Sequence, residues 1–110
     1  MITTLHYGIM KDRKVYAVDL DGTLCEKISG GWWAKENAPD PKPIPKVIKK
    51  VNEWYTQGHT IIIHTARPRM YYEATEAWLI KHGVYYHAIR MGKVRADFYI
   101  DDKAINVKDL

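Results

Sequence analysis

Two periods of apolar and polar residues alternate along this chain. Lys14-Val15-Tyr16-Ala17-Val18 and Thr60-Ile61-Ile62-Ile63-His64 are short apolar runs rich in β-formers, and each stops at small or polar residues. Such runs predict buried strands. Val84 to Ile89 and Phe98 to Ile100 predict a third and a fourth. Between the first two, Val47, Ile48, Val51, Trp54 and Tyr55 recur at helical spacing, with Pro45 near the start and Gly58 past the end. Tyr71, Ala74, Trp78 and Leu79 repeat that pattern, and Gly83 supplies the stop after His82. Strand and helix alternate, so the expected fold class is α/β, a central parallel sheet with helices on both faces.

The stretch from Cys25 to Pro45 carries Gly30, Gly31, the Trp32-Trp33 pair and Pro39, Pro41, Pro43 and Pro45. It is too rich in breakers for a helix and is expected to be a flap, about residues 25–45. With 110 residues the chain is expected to be one domain, 1–110, with no cap domain.

Charge and cysteine usage narrow the function classes. Lys plus Arg number 17 and Asp plus Glu 13, a net +4 spread along the chain, so neither a nucleic-acid nor a membrane partner is expected. A single cysteine, Cys25, excludes an intrachain disulfide or a multi-cysteine zinc site. The opening residues lack a secretory pattern, and no run approaches the ~18 apolar residues of a membrane span. The expected location is cytoplasmic.

The chemistry gathers at strand ends. The first strand ends in Asp19-Leu20-Asp21-Gly22-Thr23, the second in Thr65, and the fourth in Asp101-Asp102, while Lys93 follows Gly92 just ahead of that last strand. In a parallel sheet these ends share one edge, where such folds place their sites. Four crowded carboxylates repel unless a cation sits among them. All-oxygen donors suit a hard ion, Mg²⁺ in preference to Ca²⁺.

Val18-Asp19-Leu20-Asp21-Gly22-Thr23-Leu24 resembles the first motif of the haloacid dehalogenase (HAD) superfamily of aspartate-nucleophile phosphotransferases. Ile63-His64-Thr65 resembles its second motif, Lys93 fits the third, and Tyr99-Ile100-Asp101-Asp102 resembles the fourth. The resemblance implies a capless HAD-like Rossmannoid three-layer sandwich with strand order 3-2-1-4, which would let Asp102 meet Asp19. It implies catalytic roles for Asp19, Asp21, Thr65 and Lys93. Asp19 would attack phosphorus, and Asp21 would protonate the departing alcohol and then activate water. Superfamily members that cleave carbon–halogen bonds lack this second Asp, so its presence argues for phosphate esters. Asp19, the backbone carbonyl of Asp21, and Asp102, supported by Asp101, would hold Mg²⁺. Thr65 and Lys93, with Gly22, Thr23 and Arg67, would bind the phosphoryl group or substrate anion.

The implied activity is an Mg²⁺-dependent phosphomonoester hydrolase with an aspartyl-phosphate intermediate. Residues 65–67, 78–79, 92–93 and 96–104 resemble small phosphatases of capsular or surface-polysaccharide synthesis, which suggests a phosphorylated sugar or sugar/amino-alcohol derivative as the partner. An open site would admit large substrates or be closed by a second subunit in a homo-oligomer. The rival readings are a phosphatase acting on a nucleic-acid end or a phosphoprotein, and a non-enzymatic HAD-like interaction module.

Blander readings stand beside these. Asp101-Asp102 could be a solvated turn, and Lys93 a surface lysine with Arg90 and Arg95 as competitors. Arg67 could make a surface ion pair. His64 points to the opposite side of its strand from Thr65 and is set aside as a packed histidine. Trp54 and Trp78 read as core, Cys25 as a small buried residue, and Trp32-Trp33 as either a substrate entrance or a packed loop.

Overall fold

A computed structural model describes residues 12–27 and 40–110. Trp32, Trp33 and most of the expected flap lie outside the described residues. Three strands form, β1 (Val15–Val18), β2 (Thr60–His64) and β3 (Ala88–Arg90), all parallel and in the order β1-β2-β3. Helix α1 (Pro45–Thr56) joins β1 to β2, and α2 (Tyr72–Lys81), entered through a 3-10 turn over Arg69–Tyr71, joins β2 to β3. A second 3-10 turn covers Val107–Asp109. Among the described residues no helix is long and apolar enough to cross a membrane.

The sheet register sorts the side chains. Tyr16 lies beside Ile61 and Val18 beside Ile63, so these four share one face, while Val15, Ala17 and Ile62 share the other. Onto the first face α1 lowers Val47, Ile48 and Val51, and α2 lowers Thr75, Trp78 and Leu79. Proline at the start of α1 costs nothing, because the missing N–H would have had no helical partner. The Trp54 ring stacks on Tyr16 with centroids 3.9 Å apart, clamping α1 to β1. Leu20, Leu24, Val51, Ile61, Ile63 and Leu79 are fully buried, each worth about 1.5–3 kcal/mol.

Two expectations about the layers are corrected. Right-handed crossovers between consecutive neighbours in one direction put both helices on the same side. Asn52 of α1 confirms it, donating to the Gly83 carbonyl and accepting from the Tyr85 N–H, both at 2.8 Å. The face bearing Val15 and Ala17 therefore has no helix over it among the described residues. The third strand begins at Ala88, later than the expected Val84, because the Val84 and Tyr85 N–H groups are taken by the Leu79 carbonyl and by Asn52.

The fourth strand does not form, so the observed order is the 3-2-1 part of the expected 3-2-1-4. Phe98 to Ile100 pair with no strand among the described residues, and Phe98 and Ile100 are 85% and 99% exposed. The cause is connection length. Only residues 91–97 separate β3 from this segment, whereas a parallel crossover takes about a dozen residues or more.

Candidate active site

The acidic turn after β1 is built around one acceptor. The N–H groups of Thr23, Leu24 and Cys25 all donate to the Leu20 carbonyl, at 3.0, 2.9 and 3.2 Å. Leu20 and Leu24 are anchored in the core, which leaves Asp19 and Asp21, on either side of Leu20, only partly buried at the sheet edge. Gly22 closes the turn at φ +85°, its N–H donating to the Cys25 carbonyl at 2.7 Å. This is the left-handed region that glycine enters without strain.

Lys93 reaches Asp19 from the loop after β3. Its Nζ lies 3.9 Å from Asp19 Oδ2 and 4.3 Å from the centre of the Tyr99 ring. Its backbone is fixed to the end of β2: the Lys93 N–H donates to the Thr65 carbonyl at 2.9 Å and the Gly92 N–H to the Arg67 carbonyl at 3.3 Å. Burial pushes the Asp19 carboxyl above its ordinary value, against the opposing pull of the Leu20 N–H and the Lys93 charge.

Asp21 is held differently. Arg67 Nε donates to Asp21 Oδ2 at 2.9 Å and Arg67 Nη2 to Oδ1 at 2.7 Å, a two-bond fork. Arg67 is 1% exposed and its Nη1 donates to Thr75 Oγ1 at 3.0 Å. Its own N–H donates to the buried Thr65 hydroxyl at 3.2 Å. Cys25 Sγ lies 3.5 Å from Asp21 Oδ1, and burial, aided by the Asp21 charge, pushes the thiol up to about 12. The thiol is therefore protonated at neutral pH.

Asp19, Asp21, Gly22, Thr23, Thr65, Arg67 and Lys93 thus converge at the carboxyl ends of β1 and β2. Two expectations change. Arg67 is neither a surface ion pair nor directed to a substrate anion in these contacts; it is buried and grips Asp21. Asp101 and Asp102 do not join Asp19, because the strand that would carry them is not paired to β1. Both are exposed, and Asp101 Oδ1 accepts the Lys103 N–H at 2.7 Å. Among the described residues no group of three His, Cys, Asp or Glu side chains is placed to hold a metal ion. Asp19 and the Asp21 carbonyl suit Mg²⁺ chemically, but the expected donor set is incomplete within one chain.

Thr75 was missed in the sequence, where it reads only as a helical residue. The spacing of Thr65 and Arg67, two positions apart at a strand end, was the available sign of the arginine's inward role.

A family model described as the LNS2 domain of PITM 1-3 matches residues 15–110, from β1 through every residue of this site. The chain belongs to the LNS2 domain family. LNS2 is a HAD-like phosphatase domain. A Bacillus cereus protein named "Putative nucleotidase" is 30% identical over 74 residues, which are 56% of this chain. The chain spans 39% of that protein's length. The crystal structure of a structural-genomics target from Vibrio cholerae is 32% identical, with a TM-score of 0.68, covering 87% of this LNS2 chain and 85% of the other. A chain of the Pnkp1/Rnl/Hen1 complex shares the fold at 24% identity and a TM-score of 0.63, over 83% of this chain and 31% of that one.

Proposed function

We infer that this LNS2 domain is a phosphomonoester hydrolase that works through an aspartyl phosphate on Asp19. The observation that carries the reading is the pairing of a half-buried carboxylate with an ammonium 3.9 Å away, beside a second carboxylate held in a fork. Asp19 Oδ attacks phosphorus and the ester P–O bond breaks. The departing alkoxide takes its proton from Asp21. Water then attacks the acyl phosphate, returns a proton to Asp21 and releases inorganic phosphate. Lys93 offsets charge on the phosphoryl oxygens, and the hydroxyls of Thr65 and Thr23 are the donors to them, since the Gly22 and Thr23 N–H groups are spent inside the turn. Each Asp21 oxygen carries a second lone-pair site beyond the one that faces Arg67, through which a proton can be exchanged while the fork holds.

The cofactor we expect is Mg²⁺, which when bound supplies positive charge between nucleophile and phosphate. The substrate we favour is a small phosphorylated sugar or a sugar/amino-alcohol derivative of surface-polysaccharide synthesis, on the sequence resemblance described above. A nucleoside monophosphate is the second reading, favoured by the name of the Bacillus cereus relative. Phosphate release from sugar phosphates, amino-alcohol phosphates, nucleotides and phosphopeptides ranks these. Acid quenching of a rapid reaction is expected to trap a phosphoprotein that Asp19→Asn cannot form. Full activity of Asp19→Asn would overturn the mechanism.

A further inference from the structure

Two features of the fold are each incomplete in one chain. The edge of β1 away from β2 receives no strand among the described residues, and Val15 on it is 68% exposed. Residues 94–106 carry Val94, Phe98, Tyr99, Ile100 and Ile105, all exposed. Phe98-Tyr99-Ile100 is a β-forming run without a ladder, the kind of segment that adds to an open sheet edge. The two features complement each other in register as well. Parallel pairing of Phe98–Ile100 alongside Tyr16–Val18 would set Asp101 alongside Asp19, with Asp102 next.

The same chain is poorly able to make that pairing. Gly92 and Lys93 are bonded to the end of β2, so the short connection 91–97 is pinned near the carboxyl edge while β1 would have to be met from its start. A second copy is under no such restriction. Val107 and Leu110 pack against their own core, so the exchanged unit is a segment held at both ends and the two β1 edges would face one another. Such an arrangement is two-fold and closed.

We propose that two copies of this chain exchange residues 94–106, so that Phe98–Ile100 of each extends the other's sheet at β1 and carries Asp101 and Asp102 to the other's Asp19. Each site then draws its nucleophile, Asp21, Thr65 and Lys93 from one chain and its last two carboxylates from the other. The donor set missing from a single chain is completed across the pair. The use of those carboxylates rests on the phosphatase reading, whereas the exchange does not.

Light scattering on the full chain at micromolar concentration tests the exchange without reference to activity. The expected mass is that of two chains, falling to one in the double variant Phe98→Asp and Ile100→Asp with the far-ultraviolet spectrum retained. A monomeric parent chain overturns the proposal, as does a dimer that survives the double variant. Co-expression of Asp19→Asn and Asp102→Asn chains tests the shared site, and also serves if the double variant does not fold. Half the dimers are then mixed and hold one intact site, so activity returns to about a quarter of the parent value although each variant alone is inactive. No recovery beside an active parent overturns the proposal. A parent dimer that the double variant dissociates, but that hydrolyses no phosphomonoester, supports the exchange and overturns the phosphatase reading.

Discussion

Arg67 holds both carboxylate oxygens of Asp21, at 2.9 and 2.7 Å, across 46 positions of sequence. One partner is buried and the other faces the site, so the arginine fixes the direction of the carboxylate from behind. A lysine would keep the charge but lose the fork. Arg67→Lys is expected to lower kcat by about 10²-fold, the low end of what a placed acid–base group contributes, with KM little changed. Steady-state kinetics on the best substrate checks it, and an unaltered kcat would refute the positioning role.

Lys93 pulls the Asp19 carboxyl down while burial pushes it up. The nucleophile must be ionised, so the acid limb of kcat/KM reports this balance. In Lys93→Met the limb should move to higher pH, and the plateau should fall by about 10²-fold or more through loss of phosphoryl charge stabilisation. A lower plateau with an unmoved limb would mean that the ammonium does not act on Asp19.

The raised value at Asp19 also bears on stability. The folded chain holds that proton more tightly than the unfolded one, so the contribution is present in acid and lost as pH rises through the folded value. Asp19→Asn is therefore expected to raise Tm at neutral pH in EDTA, with the gain shrinking toward acid. Thermal melts over a pH series test the sign; a variant less stable than the parent at neutral pH would contradict it.

Gly22 sits at φ +85°, and a Cβ there would approach Lys27 Cε to 2.7 Å. The lysine end can swing aside, so the remaining cost is backbone strain of about 1–2 kcal/mol. Gly22→Ala should lower stability by that amount in denaturant melts, and should reduce activity further by shifting Asp21, which precedes it in the turn. An unchanged midpoint would mean that the turn relaxes to another conformation.

The sheet and helices were legible because their signals are local. Ile61 and Ile63 alternate with half-buried neighbours, and Val47, Ile48 and Val51 recur on one turn of a helix closed by Gly58. Asp19, Asp21, Thr65 and Lys93 were legible because strand ends in a parallel sheet share an edge. What failed was non-local. Phe98-Tyr99-Ile100 has strand composition, but whether a strand finds an edge depends on the chain available to reach it. Arg67 read as a substrate-anion contact or a surface ion pair, and Thr75 only as a helical residue, because charge and hydroxyl say nothing of burial. Their partner is fixed only when β2 and α2 are assembled around Asp21.

The amide of Lys93 is bonded to the carbonyl of Thr65, and so the backbone that carries the ammonium is tied to the end of β2. Changes downstream of residue 93 reach that ammonium through Tyr99, whose ring centre lies 4.3 Å from it. The cation is thereby held between β2 and the C-terminal segment, and affinity for a phosphate dianion can be tuned at Tyr99 without redesigning the strand ends that meet it.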